Sequence, residues 1–289
     1  MDASSREGAD RRNNNREACR CDRGHNAMET VTSTDGTRIA YHKQGAGPPL
    51  ILVHGTVAAN PRVWPACEIL TRHFTVHAMD RRGRRDSDDG QPYALEREFE
   101  DVAAVVDAAG APAFLLGHSF GALCALGAAR LTHNIRKLML YEPFFALSGA
   151  PAYPPGQIEH FQALLDADRR EELLSEHYGG VMSPDELQRY RASPAWSERL
   201  SEVDTLPREM RAEGQVHLDP GQFGDLTVPA LLLVGEAGPG FLRSVTDVVH
   251  AALPDSRVVK LPGQGHLAMY TAPELFARQV ISFAMGLDR

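Results

Sequence analysis

The stretch FLLGHSFGA, residues 114–122, decides how the rest of the chain is interpreted. An apolar run typical of a buried strand leads to Gly117. Ser119 stands between Gly117 and Gly121, and an alanine- and leucine-rich helical pattern follows. Strand, sharp turn and helix form the context in which a G-x-S-x-G motif holds an exposed nucleophile. Small neighbours are needed there because the serine backbone is strained. The stretch therefore predicts a nucleophile at Ser119, with a purely structural turn as the alternative.

Other parts of the sequence alternate between strand-like and helix-like patterns. Continuous apolar runs, typical of strands buried on both faces, occur at 49–55, 74–80, 137–143, 229–235 and 256–263. Two short β-type runs after Met28, separated by a Thr-Asp-Gly turn, predict a hairpin, and residues 95–109 have the spacing of an amphipathic helix. Strands that alternate with helices favour right-handed crossovers, so the sequence predicts an α/β fold with a mostly parallel sheet.

Residues 144–225 interrupt this alternation and define the predicted division of the chain. They contain apolar helix-like segments and several prolines but no strand-like run, which predicts a helical insertion in a core formed by residues 29–143 and 226–289. Residues 1–28 are polar, rich in arginine and asparagine and without periodicity, which predicts a disordered tail and no ordinary secretory signal. Because regular sequence begins just after Met28, that methionine is a candidate for the true first residue.

Composition narrows the class of partner and the compartment. The 289-residue chain has a formal net charge of −8, which argues against nucleic acid or an anionic membrane as the partner. The four cysteines are too few for a dense disulfide framework at this length, so a reducing, cytoplasmic setting is expected. Cys19, Cys21 and His25 superficially suggest a metal site, but they lie in the predicted disordered tail, and no metal is expected.

Four short motifs make the chain resemble the α/β-hydrolase fold family across roughly residues 29–289. They are HGT after the third strand, DRRG after the fourth, GHSFG after the fifth and GQGHLAM after the last. The insertion at 144–225 falls where this family places its lid. The resemblance implies a mostly parallel eight-stranded sheet flanked by helices, a helical lid and a serine hydrolase.

The same resemblance implies the partners of the nucleophile. A serine hydroxyl is a poor nucleophile until a base takes its proton, and the family position for this base is occupied by His266, on a glycine-flanked loop. The family places an oxyanion hole at the backbone amides of Phe120, which follows the nucleophile, and of Thr56 in the HGTV loop. His118 is interpreted as a packing residue, and His54 as support for the oxyanion loop.

The acid of the triad is where the sequence departs from the family. The usual aspartate position, on the loop after the LLLVG strand, is occupied by Gly238, which cannot orient an imidazole. Glu236 lies on the same loop two residues earlier. Glu142 follows the preceding strand, where haloalkane dehalogenase-like branches of the family place a glutamate acid, and a carboxylate at a strand's carboxyl end lies on the ligand-binding face. Glu142 is the preferred candidate; Glu236 and the absence of any acid remain open.

The predicted reaction is hydrolysis of an ester or thioester of an apolar small molecule through an acyl-enzyme, with no metal or organic cofactor implied. Carbon–carbon bond hydrolysis, lactone hydrolysis and cyclisation reuse the same triad and are alternatives. A ligand-binding protein with a degenerate triad is the alternative from another class, and it rests on Gly238. Aromatic residues that could line an apolar pocket are Phe120, Trp64, Phe144, Phe145 and Tyr153.

Overall fold

An eight-stranded sheet organises the protein in the computed structural model, which describes residues 27–58, 60–147, 151–215 and 220–287. The strands are β1 (Ala27–Thr32), β2 (Arg38–Gln44), β3 (Pro49–Val53), β4 (Thr75–Met79), β5 (Ala113–His118), β6 (Ile135–Tyr141), β7 (Ala230–Gly235) and β8 (Ser256–Leu261). Their order across the sheet is β1-β2-β4-β3-β5-β6-β7-β8. β2 is antiparallel to both neighbours, and the pairs from β4 to β8 are parallel. The predicted hairpin and the mostly parallel α/β sheet are confirmed.

The helices lie on both faces of this sheet. They are α1 (Pro65–Leu70), α2 (Leu95–Ala108), α3 (Phe120–Ala128), α4 (Gln157–Asp166), α5 (Arg170–Gly179), α6 (Pro184–Arg191), α7 (Pro194–Leu200), α8 (Leu206–Gln215), α9 (Gly240–Ala252), α10 (Ala268–Thr271) and α11 (Pro273–Met285). Within the described ranges, none of these helices combines the length and apolar character that crossing a bilayer requires.

The buried strands explain the continuous apolar runs in the sequence. Alternate residues of β3 point to opposite faces, as the two-residue period of a strand requires. Leu50 and Leu52 belong to one core cluster, shared with α1, α11 and the helical insertion, whereas Ile51 and Val53 belong to a second cluster shared with α2, α3 and α9. The sheet is therefore covered on both sides, and its loops are left to carry the functional groups.

Helices α4 to α8 all lie between β6 and β7, in the segment predicted to be a helical insertion. The predicted tail falls almost entirely outside the described residues, as does the Cys19, Cys21 and His25 cluster. β1 begins at Ala27, one residue before Met28.

Buried ion pairs fix the last insertion helix to the sheet. The Arg81 guanidinium, in the loop after β4, binds Glu98 of α2 at 2.7 Å and Glu209 of α8 at 3.0 Å. Arg84 binds the same Glu209 oxygen at 2.8 Å, and all four side chains are buried. Breaking a buried pair costs about 3–5 kcal/mol because an uncompensated charge remains. The DRRG motif therefore has a structural role here, and it determines where α8 lies.

Candidate active site

Ser119 occupies the sharp turn between β5 and α3. Its backbone has φ 55° and ψ −123°, which is strained for a residue with a side chain. A Cβ on Gly117 would overlap the main chain of Gly121, and a Cβ on Gly121 would overlap the His54 carbonyl. Glycine is required at both positions because the backbones approach so closely. The geometry is that of the nucleophile elbow predicted from the sequence.

The fold brings together His266 and Glu142, which are 124 residues apart in the chain. His266 Nδ1 lies 2.5 Å from Glu142 Oε2, and the other Glu142 oxygen accepts a hydrogen bond of 2.8 Å from the Gly235 amide. Glu142 is fully buried. Because a carboxylate can only accept, Nδ1 carries the proton in this arrangement, and Nε2 is left as the basic nitrogen.

The position of Glu142 accounts for the missing aspartate. A Cβ built on Gly238 would lie 3.2 Å from Glu142 Oε1, so the glutamate carboxylate fills the space that a side chain at 238 would enter. Glu236 is exposed, and its Oε2 accepts a hydrogen bond of 3.3 Å from the Gly263 amide. Of the two candidate acids, the structure places Glu142 beside the imidazole.

Two ring residues hold the loop that carries His266. The Tyr141 hydroxyl donates to the Gly265 carbonyl and accepts from the Ala268 amide at 3.2 Å. His118 Nε2 lies 2.9 Å from the His266 carbonyl, and the two imidazole rings are 4.5 Å apart. Burial lowers the pKa of His118 well below its ordinary value, and the neighbouring His266 and Arg199 act in the same direction. His118 is therefore a neutral donor to the His266 backbone in addition to the packing role expected from the sequence.

The two backbone amides predicted to form the oxyanion hole are those of Thr56 and Phe120. Neither the Thr56 amide nor the Phe120 amide donates a backbone hydrogen bond to another described residue. The adjoining His54 ring lies 2.9 Å from the Gly55 carbonyl through Nδ1 and accepts at 3.2 Å from the Arg81 amide through Nε2. Burial lowers the pKa of His54 well below its ordinary value, so this ring acts as a neutral brace for the loop.

A cavity of about 550 Å³ joins these groups, because Ser119, His266 and Thr56 all line it. Ser119 Oγ makes no hydrogen bond within the described part of the chain; catalytic hydrogen bonds are often long before substrate binds. Of the aromatic residues expected to line an apolar pocket, Phe144, Phe145 and Tyr153 do so.

Two of the expected pocket residues lie elsewhere. Trp64 is buried in the core, and the Phe120 ring packs under the Arg81 guanidinium, 4.1 Å from its centre. Proximity to a strand end therefore did not predict which way these rings point.

Glu213 is a buried acid in the cavity wall that sequence reasoning missed. It lies on α8, is 1% exposed and accepts a hydrogen bond from the Tyr153 hydroxyl. Burial raises the pKa of Glu213 to about 8, and the charge of Glu209 acts in the same direction, against the Tyr153 hydrogen bond and the charge of Arg81. Near neutral pH this carboxyl is therefore largely protonated.

We expect Glu213→Gln to remove part of the pH dependence of stability. The folded pKa of about 8 exceeds the unfolded value of roughly 4.3, so the stabilisation of the protonated form is complete below the unfolded pKa and is lost as pH rises through the folded pKa. Glutamine stays neutral. The variant should melt close to the wild type at pH 5 and several degrees above it at pH 8, since about 1 kcal/mol moves Tm by roughly 2–4 °C in a domain of this size.

Thermal unfolding of both proteins at the two pH values measures this difference. Glu96→Gln, at an exposed glutamate of α2, is the matched control and should shift Tm equally at both. An unchanged pH dependence in Glu213→Gln would contradict the assignment of a neutral acid.

The fold and the elbow define the class to which this chain belongs. Residues 50–279 match the model of the alpha/beta hydrolase family, so the chain is a member of that family and an enzyme of the α/β-hydrolase type.

Particular relatives agree with this membership. The chain is 35% identical to an alpha/beta hydrolase from Sphaerobacter thermophilus, with a TM-score of 0.77, and the match covers 88% of this chain and 99% of that one. It is 28% identical to a pimeloyl-[acyl-carrier protein] methyl ester esterase of Pectobacterium atrosepticum, over 85% of this chain and 98% of the relative. It is 24% identical to an (E)-2-((N-methylformamido)methylene)succinate hydrolase of Acinetobacter baylyi, over 85% of this chain and 94% of the relative.

Proposed function

We propose that this protein is a serine hydrolase that cleaves an ester or thioester of a small, mainly apolar molecule. The observation that carries the proposal is the 2.5 Å contact between Glu142 and His266 beside the cavity that Ser119 also lines. The curated relatives named above include a methyl ester esterase and a hydrolase, which supports hydrolytic chemistry of this kind.

The mechanism follows from the roles of these side chains. His266 Nε2 takes the Ser119 proton as the serine attacks the carbonyl carbon, and Glu142 stabilises the imidazolium that forms. The Thr56 and Phe120 amides bind the developing oxyanion. His266 then protonates the leaving group, an acyl-serine remains, and water activated by the same imidazole releases the acid.

The helical insertion is proposed to be the lid that shapes substrate choice. Phe144, Phe145 and Tyr153 supply aromatic surface to the cavity, together with Phe161 and Met210 from α4 and α8. An apolar cavity with few polar groups is the usual form of a small-molecule site. This supports a substrate whose acyl or alkoxy group is largely apolar.

The alternative of a ligand-binding protein with a degenerate triad is less well supported. It rested on Gly238, and Glu142 supplies a carboxylate in the adjoining space. A fluorophosphonate probe tests the proposal, because it reacts with an activated serine. We expect stoichiometric labelling, with the modified peptide containing Ser119, together with turnover of 4-nitrophenyl esters. A protein that binds such esters without labelling or turnover would be a binding protein instead.

A further inference from the structure

Arg199 places a cationic group inside the same cavity as the proposed triad. It lies on α7, is 2% exposed and lines the cavity with Ser119 and His266. A buried guanidinium is costly unless an anion compensates it, because its charge leaves water.

Among the described residues, every hydrogen-bond partner of Arg199 is neutral. Nε donates to the Tyr190 hydroxyl at 2.8 Å, Nη1 to the Val57 carbonyl at 3.0 Å and Nη2 to the Tyr270 hydroxyl at 3.4 Å. A guanidinium has five N–H donors, so one remains on each terminal nitrogen. Two such donors match the two oxygens of a carboxylate.

The other fully buried arginines of this protein provide an internal comparison. Each is paired with a carboxylate: Arg81 with Glu98 at 2.7 Å, Arg82 with Asp101 at 2.6 Å and Arg84 with Glu209 at 2.8 Å. Within the described ranges, Arg199 forms no ion pair with a carboxylate. Among the described residues, the other deeply buried guanidiniums are thus each compensated by a carboxylate, whereas the one in the cavity is not.

Neighbouring charges do not replace the missing anion. Glu198, the residue before Arg199, is half-buried and forms no ion pair with it among the described residues. Glu202 lies 3.8 Å from Arg84 and 3.6 Å from Arg85. Glu142 is engaged with His266. Burial lowers the pKa of the cavity residue His177 to about 4, so that ring is neutral.

We propose that Arg199 binds a carboxylate of the substrate, so that the preferred substrates are esters or thioesters carrying a free carboxylate on a mainly apolar chain, such as monoesters of dicarboxylic acids. The inference rests on the proposed hydrolase function and narrows its substrate class. The alternative is a purely structural role, because Arg199 also joins α7 to the loop after Thr56 and to α10 after His266.

Pairs of esters that differ only in the free carboxylate distinguish carboxylate binding by Arg199 from a structural role. Mono-4-nitrophenyl esters of diacids from succinate to suberate are compared with the same esters whose free acid is methylated. We expect the wild type to prefer the acid at one chain length. Arg199→Gln should lower kcat/KM for that acid by about 100-fold relative to its methyl ester. Arg199→Lys, which keeps the charge but loses the planar fork, should retain an intermediate preference.

Arg189→Gln, at an exposed arginine of α6, is the control and should leave the ratio unchanged. Equal losses on acid and methyl ester in Arg199→Gln, or no acid preference in the wild type at any chain length, would overturn the inference and leave the hydrolase function intact.

A binding measurement keeps the two proposals distinguishable. Calorimetry with the Ser119→Ala variant measures the affinity for monomethyl esters of diacids without turnover. The double variant Ser119→Ala, Arg199→Gln should no longer bind these ligands. If binding depends on Arg199 but the wild type neither reacts with the fluorophosphonate nor hydrolyses the esters, only the hydrolase proposal is contradicted. Binding unaffected by Arg199→Gln would sink the carboxylate site.

Discussion

Ser119→Ala is expected to lower kcat for an activated ester by about a millionfold, the loss seen when a serine protease is deprived of its nucleophile. The hydroxyl is the atom that forms the acyl-enzyme. Of the described hydroxyl side chains that line the cavity, only that of Ser119 lies at the sharp turn between β5 and α3. The residual rate should still exceed that of water, because the oxyanion amides and the binding surface remain.

The fold of the variant should be unaffected. Alanine accepts the φ of 55° at position 119 no worse than serine does, and no hydrogen bond of the Ser119 side chain to another described residue is lost. Steady-state turnover, fluorophosphonate labelling and Tm are measured together. Retention of more than about one per cent of the activity with an unchanged Tm would show that the nucleophile is a different residue, against the expected loss.

Glu142→Gln is expected to lower kcat by about 10⁴-fold, as conversion of the triad acid to an amide does in the serine proteases. The Gly235 amide needs an acceptor, so the glutamine oxygen faces Gly235 and its NH₂ group faces His266 Nδ1. Because NH₂ cannot accept from Nδ1–H, the imidazole is left in the wrong tautomer, and its cation loses the charge 2.5 Å away. Glu236→Gln is the matched control, because Glu236 is exposed and does not contact His266; its kcat should stay within about twofold of wild type, as surface substitutions away from a site usually do.

Gly238 allows a stricter form of the same experiment. Since a Cβ there lies 3.2 Å from Glu142 Oε1, aspartate at 238 in a Glu142→Ala background places a carboxylate close to the vacated site and should recover part of the lost kcat. Gly238→Asp alone should reduce activity, because two carboxylates would share one pocket. If Glu236→Gln proved the more damaging substitution, the acid would have to be reassigned.

Much of the fold and of the site was accessible from the sequence, for identifiable reasons. Buried parallel strands appear in the sequence as continuous apolar runs, and the carboxyl ends of such strands lie at one edge of a sheet. The residues that follow β5, β6 and β8 therefore lie at that edge, and the family resemblance selected Ser119, His266 and, as the preferred acid, Glu142 among them. The elbow glycines are required by backbone overlap and leave a recognisable motif.

The residues of the cavity wall could not be predicted from the sequence in this way. Arg199 and Glu213 lie on helices whose sequences contain no motif, and they reach the cavity only through the packing of the insertion helices against the core. Nothing in a local pattern distinguishes a buried arginine that pairs with a carboxylate from one that does not. Phe120 lies near a strand end, which suggested a pocket residue, but its ring packs against the Arg81 guanidinium.

The bridge from Glu209 to Arg81 and Arg84 means that the insertion is not a detachable accessory. In a chimaera that exchanged this insertion for that of a relative without an equivalent acid, Arg81 would keep only Glu98, and Arg84 would lose its buried carboxylate partner. A movement of the insertion that preserved these ion pairs would therefore have to leave α8 in place against the core.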